Sequence, residues 1–197
     1  NKVKYVKDRH EIYRNLDLLR ALPGLKYDES KVTLKPRLYP NNEDVELVNH
    51  LLGLKRSNLV TLAPCSRWFT KQLTIEKSKE IVYKLLFNGY NIALIGGNDD
   101  EVFCNELVNE LKNQSIVNLA GKLTPLQSYE VIRRSKALIT VDSASQHLGA
   151  ASDTPVILIY ASTDISFGFY PLTSKHKIIE NNTLDCRPCT DHGRDSC

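Results

Sequence analysis

Two short stretches carry side chains suited to a charged ligand. The first is TVDSASQHLGAASDTPVILIY, Thr140 to Tyr160. An apolar run ends abruptly in Asp142, followed by Ser143, Ala144, Ser145, Gln146 and His147, and then by the small residues Gly149, Ala150 and Ala151. Ser143 or Asp142 is placed at a helix N-cap, so the free N–H groups of the first turn, which carry partial positive charge, point outward. Small side chains at Ser143, Ala144 and Ser145 let a diphosphate approach those groups. Gly149, Ala150 and Ala151 let the helix pack closely on a sheet. An ordinary cap with a backbone-bonded His147 would account for an isolated Asp-Ser pair, but not for a second phosphate-suited loop. That second loop is APCSRWFTKQLTIE, from Ala63 to Glu76, with Ser66, Arg67, Trp68, Thr70 and Lys71 ahead of a helix start at Thr74. A hydroxyl and an ammonium near a helix N-terminus suit a phosphate. A solvated loop with Trp68 as a packing anchor is the other reading.

Two further loops carry weaker signals. In IGGNDDEV, Gly96-Gly97 lets backbone pass close to a ligand. Asn98, Asp99, Asp100 or Glu101 would accept a bond from ribose hydroxyls or cap the next helix, and capping is the commoner role. In AGKLTPLQS, Thr124 caps a helix behind Pro125. Leu123 would lie against a base ring or simply belong to the core.

Each loop follows a short, near-continuous apolar run, as expected of strands buried on both faces. The runs are LVTLA (59–63), IALI (92–95), IVNL (116–119), ALITV (137–141) and PVILIY (155–160). Helical patterns fill the intervals at 75–88, 99–113 and 125–135. The alternation predicts an α/β fold, a Rossmann-like parallel sheet with helices on both faces. Ligands of such sheets bind beyond the carboxyl ends of the strands. Upstream, residues 9–21 place Ile12, Leu16 and Leu19 on one helical face, ended by Pro23-Gly24. Residues 25–42, with Pro36 and Pro40, read as a linker, and 43–53 as a short helix closed by Gly53.

The bulk numbers exclude several classes. Apolar residues make up 42% of the 197, enough for a real core. The net charge of +3, from 26 basic and 23 acidic residues, is too even to point to nucleic acid. No apolar run approaches the ~18 residues that span a bilayer. The chain starts at Asn1 and contains no Met, so it is expected to be a piece of a longer protein. The five cysteines are an odd set, three of them within the last twelve positions, which suits a reducing compartment.

Taken in order, these pieces resemble glycosyltransferase family nine, the ADP-heptose:lipopolysaccharide heptosyltransferases. The motifs carrying the resemblance are APCSRWFTKQ, LIGGNDDE, NLAGKLTPLQ, VDSASQHLGAA, YASTDISFGFYPL and the tail DCRPCTDHGRDSC, from about residue 58 to the end. The chain departs from the pattern at Cys65 and Ala144, where Gly is common, and at Gln72-Leu73. The resemblance implies the C-terminal, nucleotide-sugar-binding half of a two-domain GT-B enzyme. Residues 1–42 would then be the interdomain segment and 43–197 the donor-binding domain, with the catalytic base and most of the acceptor site in a preceding domain. It also implies ADP-heptose as donor, a lipid A–Kdo acceptor, and a cytoplasmic location with peripheral contact at the inner membrane.

The implied chemistry is inverting, metal-independent transfer with no cofactor. No DxD pair stands ready for a metal; Asp99-Asp100 lacks that spacing. Lys71 and the helix start at Ser143–Ser145 would neutralise the departing diphosphate. The donor-binding set expected from this comparison is Ser66, Thr70, Lys71, Asn98, Leu123, Asp142, Ser143, Ala144, Ser145 and His147, with Asp142 on the sugar hydroxyls. Cys186, Cys189, His192 and Cys197 supply four zinc-type ligands in a compact spacing that fits no standard finger, so a reduced packed loop is the expectation. Two other readings stay open: a nucleotide-dependent epimerase or dehydrogenase, which the missing glycine fingerprint disfavours, and a non-catalytic nucleotide-binding module.

Overall fold

The computed structural model describes residues 3–20, 22–24, 28 and 34–197. Of the expected linker, 25–27 and 29–33 lie outside the described residues, and 34–41 carry no regular structure. The element order is α1 (Glu11–Arg20), α2 (Asn42–Leu52), β1 (Leu59–Ala63), α3 (Ile75–Phe87), β2 (Asn91–Leu94), α4 (Glu101–Leu111), β3 (Ile116–Asn118), α5 (Pro125–Arg133), β4 (Ala137–Val141), α6 (Ala144–Ser152), β5 (Val156–Tyr160) and β6 (His176–Glu180).

The strands form one sheet in the order β3-β2-β1-β4-β5-β6, and every pairing is parallel. All five residues of β1 are buried, as its apolar run requires of a central strand. The alternation of side chains sends Leu59, Leu138, Val156 and Leu158 to one face, against Val48 and Leu52 of α2 and Val131 and Ile132 of α5. It sends Val60, Leu62, Ile92 and Leu94 to the other, against Val82 of α3 and Cys104 and Leu107 of α4.

The five expected strands are present to within a residue or two. The sixth, β6, went unread because its sequence HKIIE has only two apolar residues between charged or polar ones. Its place at the sheet edge explains that pattern, since only one side of an edge strand needs covering. Helix starts agree with the local chemistry. Thr124 accepts from Gln127 N at 3.3 Å while Gln127 Oε1 accepts from Thr124 N at 2.9 Å, a full capping box.

The strand order matters most at one place. The chain leaves β1 toward β2 and β3, then returns to the other side of β1 as β4. The loops after β1 and β4 therefore diverge to opposite faces and leave a crevice between them.

Candidate functional site

That crevice is a cleft of about 500 Å³, lined among others by Ser66, Lys71, Gly97, Leu123, Asp142 and Ser145. Four loops thus converge on it, one from each of β1, β2, β3 and β4. One wall is backbone. Ser143 is the N-cap of α6, and its side chain makes no cap bond; its Oγ lies 3.3 Å from Thr140 Oγ1. The first-turn N–H groups of Ala144 and Ser145 lack intrahelical acceptors by geometry and carry only small side chains. Gly149 fixes the helix on the sheet, since a Cβ there would stand 2.6 Å from Val156 Cγ2 and 2.8 Å from Leu138 Cδ2.

The opposite wall is side chain. Lys71 ends a short 3₁₀ turn, Phe69–Lys71, and reaches across the crevice to donate to Asp142 Oδ2 at 2.9 Å. The pair is largely enclosed, with 12% and 14% of the two side chains exposed. Asp142 accepts two further bonds, from Gln146 Nε2 to Oδ1 at 2.8 Å and from Thr163 Oγ1 to Oδ2 at 2.7 Å. Lysine and aspartate, read from the sequence as contacts to phosphate and sugar, are here each other's partners.

Seven of the ten expected donor-binding residues line the cleft: Ser66, Lys71, Leu123, Asp142, Ser143, Ala144 and Ser145. Thr70, Asn98 and His147 do not. Thr70 faces the tail: its Oγ1 accepts from Arg194 N at 2.8 Å and donates to Ser162 Oγ at 3.0 Å. Asn98 opens the turn after Gly97, beside Gly121. His147 is exposed on α6 and does not line the cleft.

The two other partners of Asp142 escaped the sequence reading. Gln146 is four residues beyond Asp142, a spacing that brings side chains together on a helix, so a local signal existed. Thr163 reaches Asp142 from the loop after β5 and had no local signal. Asp100 lines the cleft with its carboxylate on Gly97 N at 2.8 Å. Burial raises its pKa, against the lowering effect of that bond. Cys65 on the cleft floor stays a thiol, because its hydrogen bond with Cys104 and its burial both push its pKa up.

The tail closes around the lysine loop. Cys189 N donates to Ser162 O at 2.8 Å, Thr70 N to Arg194 O at 3.1 Å, and the His192 ring lies 4.9 Å from that of Trp68. Trp68 is thus an anchor for the tail. Among the described residues no group of three or more His, Cys, Asp or Glu is arranged to hold a metal ion. At the other end, α1 docks beside the loop after β5, through Glu11 N to Gly168 O at 2.8 Å and Arg14 Nη1 to Phe167 O at 2.9 Å. No helix of the described residues is long and apolar enough to cross a membrane.

Comparison with known proteins agrees with this architecture. The family model for glycosyltransferase family 9 (heptosyltransferase) matches residues 1–195. The chain belongs to that family. It is 32% identical over 112 residues to lipopolysaccharide heptosyltransferase 3 of Escherichia coli, a match covering 56% of this chain and 33% of that one. The family 9 glycosyltransferase structure from Veillonella parvula superposes with a TM-score of 0.77 at 17% identity, over 94% of this chain and 53% of that one. The E. coli heptosyltransferase WaaC with ADP gives a TM-score of 0.66 at 19% identity, over 91% and 53%. The family 9 chain described here therefore spans about half the length of these solved relatives, and the structures share its fold.

Proposed function

We propose that this chain is the donor-binding half of a heptosyltransferase. It would hold ADP-heptose for transfer to the inner core of lipopolysaccharide. One observation carries the reading: an ammonium, Lys71, and the open first turn of α6 face one cleft at the point where the strand order reverses. A diphosphate is the ligand class that uses both. Membership of family 9 and the ADP in a solved relative support the nucleotide.

In this reading the diphosphate lies over the N–H groups of Ala144 and Ser145. Lys71 exchanges its partner, turning from Asp142 to the phosphate oxygens where charge grows as the sugar departs. Asp142 Oδ2, released from the ammonium, then accepts from a sugar hydroxyl. Transfer proceeds with inversion and without a metal, since the lysine and the helix terminus already supply positive charge. The catalytic base and most acceptor contacts belong to a facing domain, to which residues 1–42 form the connection. The acceptor is a lipid A–Kdo glycolipid met at the cytoplasmic face of the inner membrane.

Calorimetric titration of ADP and ADP-heptose into the chain tests this. Both ligands should bind, with or without EDTA. Lys71→Ala should weaken both at least tenfold, the order expected for losing a charge-assisted phosphate contact. Asp142→Ala should weaken ADP-heptose more than ADP. No binding of either ligand, or binding that requires added Mg²⁺, would refute the assignment.

A further inference from the structure

Gln146 is fully buried, and its Nε2 donates to Asp142 Oδ1 while its Oε1 has no hydrogen-bond partner. A buried amide with half of its bonding capacity unmet is an expensive way to fill that volume. A leucine of similar size would suit the apolar surroundings of α6 better. Thr163 is also buried, 1% exposed, and its hydroxyl donates to the same carboxylate from a different loop. The two donors approach Asp142 from α6 and from the end of β5, and the third bond comes from Lys71. Removing the ammonium would still leave the carboxylate gripped on both oxygens.

We infer that Gln146 and Thr163 are positioning residues for the reaction. They lock the Asp142 carboxylate in one orientation, so that it aims the Lys71 ammonium into the cleft and stays in place when the lysine exchanges partners. The inference rests on the donor-site reading above. It assigns a role to two residues that line the carboxylate rather than the ligand. The cost of burying Gln146 is then tied to the site and not to the fold.

The test separates positioning from structure. Gln146→Leu should melt at the wild-type temperature or higher, yet weaken ADP about tenfold, a dissociation that a structural residue would not show. Thr163→Val should also weaken ADP about tenfold, while Thr163→Ser, which keeps the donor, stays within about twofold. In the Lys71→Ala background, Thr163→Val should add less than about twofold, because its effect runs through the lysine. A second readout needs no ligand. The Lys71 ammonium signal in the ¹⁵N-labelled chain, assigned by its loss in Lys71→Ala, should persist in Thr163→Ser and broaden away in Thr163→Val and Gln146→Leu. An unchanged ammonium signal in both of those variants, or additive losses in the Lys71→Ala background, would overturn the inference. If ADP fails to bind wild type, the donor reading falls, and the ammonium signal alone decides whether the two residues hold the pair.

Discussion

The two walls of the cleft are held in place by opposite means. The wall after β4 is made of helix backbone, and everything that fixes it is close in sequence. Its first turn is closed by backbone, with Gln146 N donating to Ser143 O at 3.3 Å, and Gly149 seats it on Leu138 and Val156. The wall after β1 is made of side chains on an irregular loop, and what fixes it lies far along the chain. Arg194 bonds Thr70 across 124 residues, and Gly193 lies against Trp68 and Lys71. One wall inherits its rigidity from the sheet, and the other borrows it from a tail with no strand or helix of its own. Damage to the first should therefore appear as lost stability, and damage to the second as lost ligand binding.

The largest expected effect breaks the first wall. Gly149→Val would drive a side chain into Val156 and Leu138, contacts already at 2.6 and 2.8 Å for a bare Cβ. Overpacking of this severity costs about 3 kcal/mol. For a chain of this size that lowers the melting temperature by roughly 10 °C. Calorimetry would show it. A variant that melts normally but loses ADP would mean that α6 slides on the sheet, and the contrast between the walls would collapse.

A smaller effect isolates the second wall. Gly193 has φ +109°, and a Cβ there would stand 2.7 Å from Trp68 Cβ and 3.1 Å from Lys71 Cγ. Gly193→Ala combines backbone strain of about 1–3 kcal/mol with this overlap. The tail should give way before the sheet does. The expected outcome is about a tenfold loss of ADP affinity, equal to ~1.4 kcal/mol, with a melting temperature within a few degrees of wild type. Wild-type affinity would show that the tail does not position Lys71.

The same contrast decides what could be read from the sequence. The strands inside the sheet, β1, β2, β4 and β5, are legible because a strand paired on both sides and packed between helix layers is largely apolar, and Thr124-Pro125 marks a helix start through its own capping chemistry. Asp142 and Lys71 were singled out because acid, ammonium and hydroxyl groups stood where strands end. Their ion pair was not legible, because it depends on β4 returning beside β1, a pairing set by the whole sheet. Thr70 reads from the sequence as a ligand contact because a hydroxyl beside an ammonium ahead of a helix start suits a phosphate. It turned out to face the tail, a contact between residues 124 positions apart that leaves no periodic trace. The edge strand β6 was missed for the related reason that half-exposed strands carry mixed side chains.

Thr70 gives the mildest test and the sharpest one. Its Oγ1 accepts from Arg194 N at 2.8 Å and donates toward Ser162 Oγ at 3.0 Å, with Arg194 O at 3.2 Å. Ser162 O in turn accepts from Cys189 N at 2.8 Å, so one hydroxyl joins the lysine loop, the end of β5 and the tail. Thr70→Val keeps the shape and removes the hydroxyl. Net hydrogen bonds of this kind are worth about 1 kcal/mol, and Thr70 is only half-buried, so water replaces part of the loss. The expected result is about a threefold weakening of ADP with no measurable change in melting temperature, and a return to wild-type affinity in Thr70→Ser. If Thr70 instead touched the sugar of the donor, Thr70→Val would also change the preference between ADP and ADP-heptose. A residue that acts only by holding the loop weakens both ligands by the same factor. Titrating the two against Thr70→Val therefore separates a contact to the sugar from a brace that holds the wall.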